Sequence, residues 1–205
     1  MSDLTVYVVD DDASVRDALS VLLRVSGYAA ASFGTASEFL GVCKPGTLGC
    51  IILDVDMPGM DGPALQQELI RRGVQLPVIF LSGKGTIPIT VRTIKAGAVD
   101  FLTKPVDGSV LLARVKKALE QGLLLQKQAE AFQSIALRLA ALTEREREVM
   151  KLAVAGLTNK EIAQRLGISY RTVEIHRTHV MHKSGATNLL ELARIADTLE
   201  SHQTQ

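Results

Sequence analysis

Up to residue 120 the chain alternates short apolar runs with longer stretches whose apolar positions recur at helical spacing. The runs, at 5–9, 29–33, 51–53, 78–81 and 99–102, are rich in Val, Ile and Phe. That composition suits strands of a parallel sheet covered on both faces. The stretches between them, 13–25, 35–42, 63–72, 87–96 and 108–119, predict helices. Five such βα units make a doubly wound, five-stranded parallel sheet of the α/β class. Gly27, Gly73 and Gly97 each follow a helical stretch, where a C-terminal glycine belongs. Pro77 and Pro105 stand at junctions and not inside elements.

The pattern changes after that point. Residues 120–140 carry no turn cluster, and Leu124, Ala131, Ile135 and Leu139 recur at helical spacing, so the segment reads as a linker helix, either separate from the helix before it or continuous with it. Gly122 interrupts it, at about 1 kcal/mol in helix propensity. From Leu142 onward every signal is helical. Thr143 with Glu146 three residues later is a capping-box start, and Thr158 with Glu161 is another. Ser169 opens a third helix, Gly156, Gly167 and Gly185 close the three, and 189–199 makes a fourth. The predicted organisation is a domain over 1–120, a helical linker over 121–140, a small all-α domain over 141–200 and a tail over 201–205.

Composition narrows this little. Of 205 residues, 47% are hydrophobic and 22% charged, with a net charge of +1, which suits a folded globular chain and identifies no partner. Asp3, Asp10, Asp11 and Asp12 interrupt any N-terminal leader pattern. No stretch approaches the roughly 18 consecutive apolar residues of a membrane span. The two cysteines, Cys43 and Cys50, are too few for a disulfide framework and read as small buried hydrophobes. The expectation is a cytoplasmic protein with no membrane partner.

Candidate chemistry gathers at the strand ends. Open α/β sheets place their sites outside the carboxyl ends of the strands. Strand one runs into Asp10, Asp11 and Asp12, strand three into Asp54, strand four into Ser82, and strand five ends just before Lys104-Pro105. With the strand order 2-1-3-4-5, chain-distant carboxylates would meet a hydroxyl and an ammonium. Converging carboxylates repel unless a cation sits among them, and a hard divalent ion that retains water, Mg²⁺ (or Mn²⁺), suits oxygen ligands. A carboxylate can itself be a nucleophile toward phosphorus, with Lys104 offsetting phosphoryl charge and Ser82 donating a hydrogen bond to it. A single acid at a loop edge is usually just solvated; four strand ends with matching chemistry argue for a site. Gly83-Lys84-Gly85-Thr86 is not a nucleotide loop, which would need Gly where Val78 stands and Ser or Thr where Gly85 stands.

Val9-Asp10-Asp11, Asp54-Val-Asp-Met-Pro-Gly-Met-Asp-Gly62, Leu81-Ser82-Gly83 and Lys104-Pro105 strongly resemble the receiver domain of bacterial response regulators, over residues 4–120. The resemblance implies a flavodoxin/CheY-like fold and a phosphoacceptor at Asp54. It implies Mg²⁺ bound by Asp11, Asp54 and the Asp56 backbone carbonyl, with Asp10 acting through water. Ser82 and Phe101 become a switch pair, although Phe101 reads equally well as a core residue. The Lys104-Pro105 bond is expected to be cis. Val91, Lys95, Val99 and Phe101 would form a dimer face. Lys84 and Thr86 depart from the pattern, where His and Asp are expected, which bears on loop conformation and phosphoryl lifetime.

Residues 158–187 hold Lys160, Arg165, Arg171, Arg177 and Lys183 against Glu161 and Glu174. A local basic excess can be a solvated face, but here it accompanies a short helix, a Gly turn and a second polar helix, the geometry of a helix-turn-helix. At about 100° per residue, Ser169, Val173, His176 and Val180 face inward. Arg171, Glu174, Ile175, Thr178 and His182 face outward, where Ile175 suits a thymine methyl beside residues that read base edges. Lys160, Thr172, Arg177 and Lys183 flank that face and suit phosphates. His176, His179 and His182 do not make a metal site: the outer two are about 9 Å apart in rise and diverge. Leu142-Thr-Glu-Arg-Glu-Arg-Glu-Val-Met150, Gly156-Leu-Thr-Asn-Lys-Glu-Ile-Ala163 and Ser169-Tyr-Arg-Thr-Val-Glu-Ile-His-Arg177 closely resemble LuxR-type DNA-binding domains, over roughly 138–200.

Together the two resemblances suggest a FixJ/NarL-type transcriptional response regulator. They imply a sensor histidine kinase as phosphate donor, homodimerisation on phosphorylation, double-stranded DNA and RNA polymerase as partners, and no enzyme activity beyond self-catalysed phosphorylation and dephosphorylation. The alternative is a degenerate receiver serving only as a dimerisation scaffold. Such a receiver would be expected to have lost one of Asp10, Asp11, Asp54, Ser82 and Lys104, and all five are present.

Overall fold

A computed structural model describes residues 4–83 and 87–203. Lys84 and Thr86, the two departures from the family pattern, lie outside the described residues. The chain forms two compact units, Met1–Lys127 and Gln128–Gln205.

In the first unit five strands, β1 (Thr5–Val9), β2 (Ala29–Phe33), β3 (Gly49–Asp54), β4 (Val78–Ser82) and β5 (Asp100–Thr103), form one parallel sheet of order β2-β1-β3-β4-β5. Each follows its predicted run within two residues. Every residue of β3 and β4 is buried, which is why those strands read as unbroken apolar runs. Alternate side chains feed two cores. Val9, Ile51, Leu53, Val78 and Phe80 meet Phe39, Leu65 and Leu69 from α2 (Ala36–Val42) and α3 (Gly62–Arg71). Val6, Val8, Ile52, Ile79 and Leu81 meet Leu19, Leu23, Leu111 and Val115 from α1 (Ala13–Val25) and α5 (Gly108–Ala140). α4 (Ile87–Lys95) lies between β4 and β5 in the chain. Both cysteines are free and buried, and burial pushes the Cys50 thiol up to about 12, so it is an inert core atom.

The predicted fifth helix and the linker are one element: α5 runs unbroken through Gly122 to Ala140. Gly122 is not a mere lapse of propensity. A Cβ there would sit 2.9 Å from the Gly49 carbonyl oxygen, so glycine lets α5 lie against the start of β3.

The second unit is all helix: α6 (Glu144–Val154), α7 (Asn159–Leu166), α8 (Tyr170–Ser184) and α9 (Leu189–Gln203) follow the end of α5. α9 takes in the first residues of the expected tail. Thr143 and Thr158 each close a full capping box, with Glu146 and Glu161, and Ser169 caps α8. Gly167, at φ 64°, ends α7 and turns the chain into α8. Val149, Ala153, Ile162 and Val173 form one small core, and Leu139, Leu142, Met150, Val180 and Leu192 another.

Candidate functional site

The carboxyl ends of β1 and β3 bring Asp10 and Asp54 together, both buried. Lys104 lies between them, its Nζ 2.6 Å from Asp10 Oδ2 and 2.6 Å from Asp54 Oδ1. The lysine is placed by its own backbone: its N–H donates to the Ser82 carbonyl at 2.7 Å, and the following bond to Pro105 is cis. The second oxygen of each acid is held locally. Asp54 Oδ2 accepts from the Asp56 N–H at 2.8 Å, and Asp10 Oδ1 accepts from the Asp12 N–H at 3.0 Å. The Arg16 guanidinium donates to the carbonyls of Asp10 and Asp11 at 2.8 and 2.9 Å and fastens the acidic loop. Sequence reading did not single out Arg16, because a side chain serving backbone carbonyls five and six residues back leaves no motif. Gly62 is required where it stands, since a Cβ would lie 2.2 Å from the Asp54 carbonyl oxygen.

Burial pushes the Asp54 carboxyl above its ordinary range, and the Asp10 carboxylate adds to this, against the opposing hydrogen bond and charge of Lys104. Burial works against the Lys104 ammonium as well, but the hydrogen bonds and charges of Asp10 and Asp54 together raise it. The cluster therefore holds two buried carboxylates against one ammonium, an arrangement that favours a further cation. Asp11, next in the chain, is exposed, and among the described residues no three His, Cys, Asp or Glu side chains are grouped to hold a metal. Asp56 is exposed and meets the site through its backbone.

Ser82 is fully buried at the end of β4. Phe101 is half-buried, paired in register with Phe80 and stacked on its ring at 6.2 Å. Beyond it, Val91 is 46% exposed, Lys95 is exposed and Val99 is half-buried. Ile94, 42% exposed, enlarges this apolar surface and was not read from the sequence.

On α8, Val173 and Val180 are buried as the helical wheel requires. Ser169 caps the helix from an exposed position, and His176 is half-buried with Nδ1 sealed and unpartnered. Arg171, Ile175, Thr178 and His182 are exposed and Glu174 partly so, with Arg171 3.3 Å from Glu174. Of the flanking residues, Lys160 is exposed and Thr172 bonds the Ser169 hydroxyl. Arg177 donates to Asn159 at 2.8 Å. Lys183 donates to both oxygens of the buried Glu146, at 3.0 and 2.7 Å, so its ammonium already clamps α8 to the start of α6.

Residues 6–116 match the response regulator receiver domain, and residues 140–196 match the luxR family of bacterial regulatory proteins. The chain belongs to the two-component response regulators that join a receiver domain to a LuxR-type DNA-binding domain. The transcriptional regulatory protein FixJ of Azorhizobium caulinodans is 44% identical to it over 193 residues, 94% of this chain and 92% of that one. Nodulation protein W of Bradyrhizobium diazoefficiens is 43% identical over 95% of this chain and 86% of that one. Among solved structures, the response regulator StyR matches with a TM-score of 0.84 at 39% identity, over 96% of this chain and 99% of that one. Full-length FixJ from B. japonicum matches with a TM-score of 0.57 at 39% identity, over 97% and 98%. Within its class the chain is thus a FixJ-like transcription regulator.

Proposed function

We propose that a sensor histidine kinase phosphorylates this regulator at Asp54, and that the phosphorylated form dimerises and binds a two-fold DNA site to regulate transcription through RNA polymerase. The observation that carries this reading is the Lys104 ammonium held at 2.6 Å by both Asp10 and Asp54. An Asp54 oxygen attacks the phosphorus of a phosphohistidine, the imidazole leaves, and an acyl phosphate remains. Lys104 then bears on the phosphoryl oxygens, and the Ser82 hydroxyl donates to one of them. Two buried carboxylates against one ammonium, with hard oxygen donors at hand, suit Mg²⁺ (or Mn²⁺) at Asp11, Asp54 and the Asp56 carbonyl, with Asp10 reached through water. Mg²⁺ retains several waters and does not require a cage of three carboxylates; bound there, it neutralises phosphoryl charge.

Phe101 turning inward with Ser82 would reshape the surface of Val91, Lys95 and Val99, the proposed dimer face. Pairing two second units sets Arg171, Glu174, Ile175, Thr178 and His182 toward base edges, with Lys160, Thr172 and Arg177 toward phosphates. Asp54→Asn is expected to abolish incorporation of label from acetyl phosphate in Mg²⁺ buffer while the circular dichroism spectrum stays that of the wild type. Continued labelling of the folded variant would move the acceptor elsewhere.

A further inference from the structure

Helix α3 is fastened at two points. At its first residue, Gly62 packs under the Asp54 carbonyl and donates its N–H to the Val55 carbonyl at 3.0 Å. One turn later Gln66, 3% exposed, sends its amide away from α3 altogether. The amide nitrogen donates to two carbonyls at the C-terminal end of α4, Thr93 O at 3.4 Å and Ala96 O at 3.2 Å. Filling that space does not call for an amide; Leu or Met would do so without polar atoms to satisfy.

The apolar anchorage of helix α4 includes Ile89, partly buried against the core. Of residues 88–95 only Thr93 is buried, and its hydroxyl turns back to the carbonyls of Ile89 and Thr90. With one buried side chain among residues 88–95, and that one polar, directed bonds at the end of α4 bear on its position. Beside the bonds lies a cleft lined by Gln66, Leu69, Val74, Ala96, Gln121 and Leu125, so the end of α4 borders both α3 and α5.

We infer that Gln66 is a positioning residue that couples the Asp54 site to α4: α3 is the strut, seated on the Asp54 carbonyl at one end and holding the last turn of α4 through the Gln66 amide. The coupling rests on the reading that phosphorylation at Asp54 controls the α4–β5 surface.

The test uses the full chain carrying Gln66→Met, which keeps side-chain length and removes both donors. Hydrogen exchange at the amides of Ala96, Gly97 and Ala98 should quicken about tenfold, the equivalent of one or two lost hydrogen bonds. Exchange in α1 and the receiver part of α5 should stay as in the wild type. Equal acceleration throughout the unit, or none at α4, overturns the latch. Phosphate uptake from acetyl phosphate should keep its wild-type rate. The gain in DNA affinity on phosphorylation should fall by about threefold to thirtyfold. An unchanged gain with α4 exchange accelerated overturns the coupling and leaves Asp54 as the acceptor. No gain in the wild type itself overturns the phosphorylation reading and the coupling with it, while the exchange measurement still decides the latch.

Discussion

Single side chains in this protein serve two elements at once, and Glu146 is the clearest case outside the receiver site. Its carboxylate accepts from the Thr143 N–H at 2.8 Å, closing the cap of α6, and from Lys183 of α8. The Lys183 hydrogen bond, and after it the Thr143 N–H, hold the carboxyl down to about 2 from an ordinary 4.5. A depressed carboxyl contributes stability that is complete above the unfolded value and is lost as pH falls through the folded one. The second unit should therefore lose this contribution between about pH 4.5 and 2. Glu146→Gln keeps a neutral acceptor for the cap and removes the charge. It should melt below the wild type at neutral pH, with the gap closing over that acid range. A gap that stayed constant in melts across the series would mean that the ion pair contributes nothing.

At the scale of elements, propensity and packing disagree at one position, and packing decides it. Helix propensity alone predicts that Gly122→Ala stabilises α5 by about 1 kcal/mol. The Cβ would meet the Gly49 carbonyl oxygen at 2.9 Å, a backbone atom that cannot turn aside. The variant should lose about 1–2 kcal/mol in denaturant unfolding of the first unit; a gain would show that α5 can shift off β3 freely. The strands and most helix ends were legible in the sequence, because period-2 and period-3.6 patterns and capping residues act within a few residues of where they stand. The continuity of α5 was open, since a glycine in mid-helix looks the same whether it ends the helix or admits a neighbouring backbone.

At the scale of the molecule, each unit buries its own cores, two in each among the described residues. Calorimetry of the full chain should then resolve two unfolding transitions, one displaced by Gly122→Ala and the other by Glu146→Gln. A single transition moved by both substitutions would show one cooperative unit instead. The joining of a receiver to a DNA-reading unit could be recognised in the sequence because both motifs are contiguous strings. The geometry within the receiver site could not, because its members lie at the ends of four strands.

The sequence by itself determined the α/β class, the five strands, the capped helices of the second unit and the strand ends at which the chemistry gathers. Those features follow from local patterns and from the rule that open sheets bind at their carboxyl edge. Only the tertiary structure decided that Lys104 joins Asp10 to Asp54. It likewise decided that Arg16 holds the acidic loop, that Lys183 is committed to Glu146, and that Gln66 reaches α4. Each of those contacts joins side chains or backbone groups whose meeting depends on how helices seat on the sheet or on one another. A displacement of an ångström makes or breaks such a bond and leaves no periodic trace in the chain.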